Sequence, residues 1–333
     1  MTSPLFSGRG ARALAAAVCA SLLPTSAISQ DRYPIKPIQL FSPLPTGGST
    51  DVATRAWMAC ASQEKLAGQA IVLQNRPGAN GVLAANVMRQ QPSDGYSLMV
   101  AGMSQTTITP FTFRKMPYDP EKEFEGAAIF ATTTFTMAAG TQTGIKTIRD
   151  LQAYANARAK GVDLGIAAIA SPAHLMSAAL AEKLGIHVTL IPQGSDPQGV
   201  VALISGQVPA MIFVTGSIMP HIESGKLVPL LTFTDQRLPQ LPNVPTVGEV
   251  IGDTSLVRLG WLGITTKAGG PKHVVHAVEE WTKTCLETQE FQQALRNSLF
   301  TPRFISADEY KEVVRQDIAF WKPWIQKLGI QND

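Results

Sequence analysis

Short apolar segments alternate with helical patterns between residues 36 and 101. The predicted elements are strands at Lys36–Phe41, Ala70–Leu73 and Tyr96–Ala101, a helix at Ser49–Ala67, and a second helix that ends near Gln91. Strand, turn and helix in repeated order are typical of a parallel sheet with helices on its faces. This part of the chain therefore has the pattern of an α/β fold.

The same alternation returns after residue 147. It predicts helices at Ile148–Ala159, Pro172–Leu184 and Gln198–Ser205. The strands between and after them are Val162–Ala167, Val188–Ile191 and Ala210–Val214. After the proline-rich segment Leu238–Pro245, a strand near Leu259–Ile264 and three helical patterns lead to the end. We expect two α/β domains, each a mostly parallel sheet flanked by helices: residues 28–135 plus 256–333, and residues 136–255. A ligand cleft would lie between them.

Residues 1–27 have the order of a signal peptide. Arg9 and Arg12 precede the apolar segment Ala13–Leu23, and small residues lead to Ala27. The apolar segment is shorter than the roughly 20 residues that a membrane-spanning helix needs. We expect export to the periplasm with cleavage near Ala27; a buried N-terminal helix is the alternative.

Composition narrows the class of protein. The chain has 333 residues, of which 45% are hydrophobic and 16% charged, which excludes a disordered chain. Its net charge of +3 is too small for a nucleic-acid-binding surface, so we expect no nucleic-acid partner. Outside the signal peptide, Cys60 and Cys285 remain; they could pair in an oxidising compartment or stay buried thiols.

Two loops follow strands and precede helices, where open parallel sheets bind ligands. The first is Pro45-Thr46-Gly47-Gly48-Ser49-Thr50-Asp51, in which Ser49, Thr50 or Asp51 can cap the next helix. The second is Ala168-Ile169-Ala170-Ser171-Pro172-Ala173-His174, in which Ser171 and Pro172 form a strong helix start. Helix N-termini bind anions without a lysine or arginine. A plain glycine-rich turn is the alternative for the first loop.

Recognised catalytic and metal-binding motifs are missing from the sequence. His273 and His276 have helical spacing but no third ligand, and no carboxylate is placed by sequence to orient His174. We therefore expect no enzyme activity, no cofactor and no metal. The rival hypothesis is an exported hydrolase that uses Ser171 or Ser49 as nucleophile with His174.

Further short motifs occur in order along the chain: Tyr33-Pro34, Pro45-x-Gly47-Gly48-Ser49-Thr50-Asp51, Asn75-Arg76-Pro77-Gly78-Ala79, Asp94-Gly95-Tyr96, Pro117-Tyr118-Asp119-Pro120, His174-Leu175, Gly206-Gln207-Val208, Pro220-His221-Ile222, Leu241-Pro242-Asn243-Val244-Pro245-Thr246 and Trp261-x-Gly263. With these motifs the chain resembles the periplasmic substrate-binding receptors of tripartite tricarboxylate transporters, the Bug family. The resemblance runs from Tyr33 to about Ile330.

This resemblance implies a two-domain periplasmic binding protein of the type II-like, Venus-flytrap kind that closes on a small carboxylate. In such receptors the two loops grip the carboxylate through backbone amides and water, and Ser104-Gln105-Thr106 matches a further polar ligand loop. The expected partners are the ligand and the membrane subunits of a tripartite transporter, with the receptor a monomer. A ligand-sensing subunit of a membrane signalling protein is another alternative.

Departures from the family pattern bear on the ligand. Gln193 stands where the family has a tyrosine, and Phe213 stands where many members have an aspartate that can face a ligand amine. We expect Gln193, Phe213 and Thr215 to shape the pocket. Because a phenylalanine cannot pair with an ammonium group, we predict a non-amino carboxylate, such as the aromatic acid terephthalate. Packing of Phe213 in the core is the alternative.

Overall fold

The computed structural model of the protein describes Met1 and residues 33–330. Apart from Met1, the predicted signal peptide lies outside these described residues. Within residues 33–330, no helix combines the length and the apolar character that crossing a membrane requires.

The described residues form eleven strands: β1 (Ile38–Ser42), β2 (Ile71–Asn75), β3 (Ser97–Ala101), β4 (Phe124–Thr133), β5 (Phe135–Gly140), β6 (Val162–Ile166), β7 (Val188–Pro192), β8 (Ala210–Val214), β9 (Leu227–Thr232), β10 (Gly260–Lys267) and β11 (Phe300–Ile305). Their α-helices are α1 (Ser49–Ala61), α2 (Val82–Arg89), α3 (Pro120–Glu123), α4 (Ile148–Asn156), α5 (Pro172–Leu184), α6 (Asp196–Ser205), α7 (Thr215–Glu223), α8 (Val247–Ile251), α9 (Lys272–Glu287), α10 (Gln289–Asn297) and α11 (Ala307–Leu328).

The strands form two sheets. One has the order β11-β4-β10-β3-β1-β2, and the other has the order β7-β6-β8-β5-β9. We call the six-stranded sheet with α1–α3 and α9–α11 the first lobe, and the five-stranded sheet with α4–α8 the second lobe. The predicted α/β class is confirmed.

Both sheets are mixed, which corrects the expectation of mostly parallel sheets. In the first lobe β1 runs parallel to β2 and β3, while β10 runs antiparallel to β3 and β4, and β11 antiparallel to β4. In the second lobe β6 runs parallel to β7 and β8, while β5 runs antiparallel to β8 and β9. Strands joined through helices are parallel, whereas several strands beside the lobe crossings are antiparallel.

The chain passes between the lobes at defined places. It leaves the first lobe at Thr134, between β4 and β5, and returns between β9 and β10. The backbone N–H of Thr215 donates to the carbonyl of Thr134 at 2.9 Å, so the start of α7 is bonded to this crossing. The domain ranges 28–135, 136–255 and 256–333 stay a prediction.

Residues placed by the sequence set the ends of several helices. Ser171 caps the start of α5, and Gly185 ends it in the left-handed region at φ 66°. Ser195 and Gly206 do the same for α6. The cap residues Ser171 and Ser195 therefore mark where the preceding loops end and where α5 and α6 begin.

A disulfide joins the first and last thirds of the chain. Cys60 of α1 and Cys285 of α9 are bonded, with their Cα atoms 5.9 Å apart. Beside this bond, the indole N–H of Trp57 donates to the hydroxyl of Thr282 at 3.0 Å. The alternative of two separate buried thiols is therefore wrong, and the pair fixes α1 against α9.

Candidate functional site

A cavity of about 330 Å³ lies between the two lobes. We call it the interlobe cavity. Loops that follow β1, β2 and β3 line it from the first lobe. The loops that follow β6 and β7, and the junction of β8 with α7, line it from the second. These are the carboxyl ends of the parallel strands, where open α/β sheets bind ligands.

The N-terminus of α1 forms one wall of this cavity. Gly48 occupies the cap position and offers no side chain to the amides of the first turn, so the predicted capping by Ser49, Thr50 or Asp51 is wrong. Gly48 and Thr50 line the cavity. An uncapped helix start leaves backbone N–H donors available to a bound anion.

Asp51 organises this loop from within and does not line the cavity. Its carboxylate accepts hydrogen bonds from the backbone N–H of Gly47 at 3.1 Å, from Arg55 Nε at 2.9 Å and from Asn75 Nδ2 at 2.9 Å. Burial alone would raise the pKa of Asp51, but these bonds outweigh it and hold the pKa below its ordinary value. Thr46 and Gly47 are exposed.

The second predicted loop contributes Ser171 and Pro172 to the cavity wall. The Ser171 hydroxyl accepts the backbone N–H of His174 at 3.2 Å, and His174 Nδ1 accepts the N–H of Ala170 at 2.8 Å. Burial lowers the pKa of His174 to about 4, so its ring is neutral at pH 7. His174 therefore fixes the loop, and it does not line the cavity with Ser171 as a hydrolase would require.

Ala168 and Ala173 also line the cavity, whereas Ile169 and Ala170 do not. Ala170 is fully buried in the left-handed region at φ 62°, and Ile169 is 47% exposed. The carbonyl of Ile169 accepts a hydrogen bond from the side-chain amide of Asn80 in the first lobe. Ile169 thus helps to hold the lobes together.

The residues of the third predicted loop, 104–106, line two different cavities. Ser104 and Gln105 line the interlobe cavity, and Gln105 Oε1 accepts the N–H of Gly102 at 3.1 Å. Thr106 instead lines a separate cavity of about 530 Å³ beside Tyr310. Its hydroxyl donates to the Gly102 carbonyl at 2.7 Å, which stabilises the turn after β3.

Three residues expected to shape the pocket do not line it. Phe213 is fully buried in a core cluster with Val200 and Met211, so the alternative of core packing holds. The Thr215 hydroxyl bonds to those of Thr134 and Thr136, both at 2.8 Å. The Gln193 side chain donates to its own strand, while the adjacent Gly194 lines the cavity.

Sequence reasoning missed several residues of the cavity wall, namely Gly78, Ala79, Asn80, Phe135, Asp196, Ser217, Trp261 and Phe300. The rule on strand ends could have found the loop after β2, because β2 runs parallel to β1. No local signal marks the aromatic residues, since they come from the crossings and from β11.

The electrostatics of this cavity are unusual for an anion site. Among the described residues that line it there is no lysine, arginine or histidine, and Asp196 is the one ionisable side chain. Burial raises the pKa of Asp196 to about 6, although hydrogen bonds from Ser217 and from the N–H of Val214 counteract this. The other polar groups are hydroxyls, amides and the backbone.

The lobes touch beside the cavity. The Ser49 hydroxyl, at the start of α1, lies 3.1 Å from the hydroxyl of Ser217 in α7. Together with the bond from Asn80 to Ile169, this contact links the first lobe to the second on two sides. Two hydrogen bonds therefore join the lobes beside the interlobe cavity.

Comparisons with known proteins agree with this architecture. The family model described as "Tripartite tricarboxylate transporter family receptor" matches residues 56–330. A UPF0065 protein of Bordetella bronchiseptica is 32% identical over 241 residues, which cover 72% of this chain and 71% of that protein. Protein BugT of Bordetella pertussis is 26% identical over 303 residues, which cover 91% of this chain and 92% of that protein.

A solved structure shares the whole fold. "R. palustris Rpa4515 with adipate" superposes with a TM-score of 0.83 at 25% identity, and the match covers 90% of this chain and 99% of that one. The family match spans both lobes, and the resemblance drawn from the sequence motifs is confirmed. The chain belongs to the tripartite tricarboxylate transporter family of receptors.

Proposed function

We propose that the protein is a periplasmic receptor that captures a small carboxylate in the interlobe cavity and delivers it to the membrane subunits of a tripartite transporter. The observation that carries the proposal is the uncapped N-terminus of α1 in the cavity wall. The expected signal peptide and the family membership support the periplasmic location. A receptor of this kind has no catalytic step.

Backbone amides are the groups that would hold the carboxylate. The first turn of α1 lies in the cavity wall without a side-chain cap, so its N–H donors have no intrahelical partner, and the partial positive charge of the helix end adds to their attraction for an anion. The N-terminus of α7 also lacks a side-chain cap, and Val214 and Ser217 at this end line the cavity. Because Ser49 at the start of α1 contacts Ser217 of α7, a ligand whose carboxylate is held at α1 would also reach the second lobe and favour a closed arrangement.

The cavity favours a ligand with an apolar body. Phe135, Trp261 and Phe300 line it, together with Met103 and Leu262. Such a wall suits an aliphatic or aromatic acid. Support for an aromatic ligand body, of which the predicted terephthalate is one example, comes from these three rings and not from Phe213. The relative solved with adipate supports a carboxylate ligand as well.

Thermal-shift measurements with terephthalate, benzoate and adipate test the proposal. We expect at least one of these acids to raise the melting temperature, and the corresponding primary amides to have no effect. The variant Gly48→Asp would place a competing carboxylate at the N-terminus of α1, where a side chain has room because the nearest atom lies 3.9 Å from the new Cβ. We expect it to lose at least tenfold in acid affinity.

Gly48→Asn is the matched control, because asparagine caps the helix without a charge. It should lose clearly less affinity than Gly48→Asp. Unchanged affinity in Gly48→Asp would contradict binding at this helix end, and stabilisation by the amides alone would contradict a carboxylate ligand.

A further inference from the structure

Asp196 is a carboxylate inside a cavity that is proposed to bind a carboxylate. It is the first residue of α6, it directly follows the cap residue Ser195, and it lines the interlobe cavity. Two groups of the protein donate to it: the Val214 N–H, at 3.3 Å from Oδ2, and the Ser217 hydroxyl. An ionised carboxylate has about four acceptor positions, so part of its capacity is left for a ligand.

The protein supplies no positive side chain to balance this charge. Among the described residues of the cavity wall there is no lysine, arginine or histidine. A half-buried carboxylate without an opposite charge is costly, and the raised pKa of Asp196 is the expected sign of that cost. A second anion placed nearby would add repulsion, whereas a ligand cation would remove the imbalance.

The hydrogen bonds beside Asp196 connect it to the expected carboxylate position. Because Asp196 can only accept while ionised, Ser217 donates to it, and the Ser217 oxygen is then free to accept from Ser49 at 3.1 Å. Ser49 is the first residue of α1, whose amides are the proposed anion site. Two hydrogen bonds span roughly 6 Å, so a positive and a negative group on one small ligand would meet both positions.

We propose that Asp196 determines the specificity of the receptor by accepting a hydrogen bond from an ammonium group of the ligand, so that the ligand is an amino acid with an apolar side chain. This inference rests on the proposed function. It replaces the non-amino carboxylate that we expected from Phe213: the chain lacks an aspartate at position 213, but it places one in the cavity from the loop after β7.

Matched pairs of acids that differ by one amino group test the inference by calorimetry. The pairs are L-phenylalanine with 3-phenylpropanoate, L-leucine with 4-methylpentanoate, and L-glutamate with glutarate. For at least one apolar pair we expect the wild-type protein to bind the amino acid at least tenfold more tightly. The variant Asp196→Asn, which keeps an acceptor for the Val214 N–H, should lose that preference and bind the amine-free acid as well or better.

The exposed Asp163 of β6 supplies the matched control, since Asp163→Asn should leave the preference unchanged. Circular dichroism and a thermal melt establish that each variant is folded. An equal preference for amino acids in wild type and Asp196→Asn would overturn the inference. A preference of the wild type for the amine-free acids would overturn it too and leave the proposed carboxylate receptor standing. If none of these acids binds, the proposed function fails first and the inference with it.

Discussion

Gly216 in the second lobe lies against the backbone carbonyl of Ser298 in the first. A Cβ atom at position 216 would come within 2.1 Å of the Ser298 oxygen, and within 3.3 Å of the Ser49 Cβ. Position 216 is the second residue of α7, next to the cavity residue Ser217. The two lobes can approach as closely as they do because this residue has no side chain.

Gly216→Ala should therefore hinder closure. The new methyl group would meet a backbone atom, which cannot move aside as a flexible side chain can. Since each 1.4 kcal/mol corresponds to a tenfold change, a clash of about 1–3 kcal/mol predicts a loss of roughly fivefold or more in ligand affinity. Calorimetry with an acid that binds the wild-type protein measures this loss.

A matched glycine serves as the control for that experiment. Gly248 lies in α8, where a Cβ would make an ordinary contact of 3.4 Å. Gly248→Ala should retain wild-type affinity. If Gly216→Ala binds as tightly as Gly248→Ala, the contact between position 216 and Ser298 does not limit closure.

Loss of the disulfide should lower the stability of the fold. Cys60 and Cys285 are separated by 225 residues, and cross-linking so long a loop restricts the unfolded chain strongly. We expect the double variant Cys60→Ala/Cys285→Ala to lose about 3–5 kcal/mol in the free energy of unfolding. Urea denaturation measures it. Reducing agent should shift the wild-type curve in the same direction and leave the double variant unchanged; a wild-type curve insensitive to reduction would contradict the expectation.

Ala170→Gly should stabilise the protein. Ala170 adopts φ 62°, a region that costs an alanine about 1–2 kcal/mol, while glycine adopts it freely. The greater conformational entropy of glycine in the unfolded chain offsets part of this relief. We therefore expect the free energy of unfolding to rise by about 0.5–1 kcal/mol. Ala181→Gly, within α5, should instead destabilise by about 1 kcal/mol or more. A lower melting temperature for Ala170→Gly would contradict this prediction and show that loss of the buried Ala170 methyl group outweighs the relief of backbone strain.

Stability should depend on pH through His174. Its pKa is lowered to about 4 in the folded state by burial, from an ordinary value of 6.5. Between pH 6.5 and pH 4 the unfolded chain therefore takes up a proton that the folded protein does not, so stability falls as pH falls. In His174→Asn, whose side-chain oxygen can still accept the Ala170 N–H, this contribution disappears.

The comparison is made by denaturant unfolding of both proteins at pH 7 and pH 4.5. Relative to His174→Asn, the wild type should lose on the order of 2 kcal/mol between these two pH values. Parallel changes in the two proteins would mean that the imidazole titrates alike in the folded and unfolded states.

Local signals in the sequence were sufficient for several elements. Ser171 followed by Pro172 marks the start of α5, and the predicted strand Ala210–Val214 has the bounds of β8. In contrast, the pattern assigned no strand to Phe124–Thr133, although β4 lies there. Nearly all its residues are buried, so the alternation that identifies a half-exposed strand is missing.

The candidate site was harder to predict, because it depends on side-chain direction and on contacts between lobes. Neighbouring residues of a strand face opposite ways, so Val214 lines the cavity while Phe213 packs towards Gly199 of α6. Asp196 lies in a helix start, Ser195-Asp196-Pro197, that looks purely structural in sequence. Its place in the cavity follows from the packing of α6 and α7 in the folded protein.

The cavity lies at the carboxyl ends of β1–β3 and β6–β8, and this position bears on how receptors of this family come to bind different ligands. Most of the cavity wall belongs to short connections and to the helix starts that follow them, such as residues 77–81 and 194–197, and not to the buried sheets. Exchanges in these connections can alter what is recognised while the scaffold beneath keeps its stability. A single ancestral framework of this kind could thus acquire new cargo through a handful of point changes.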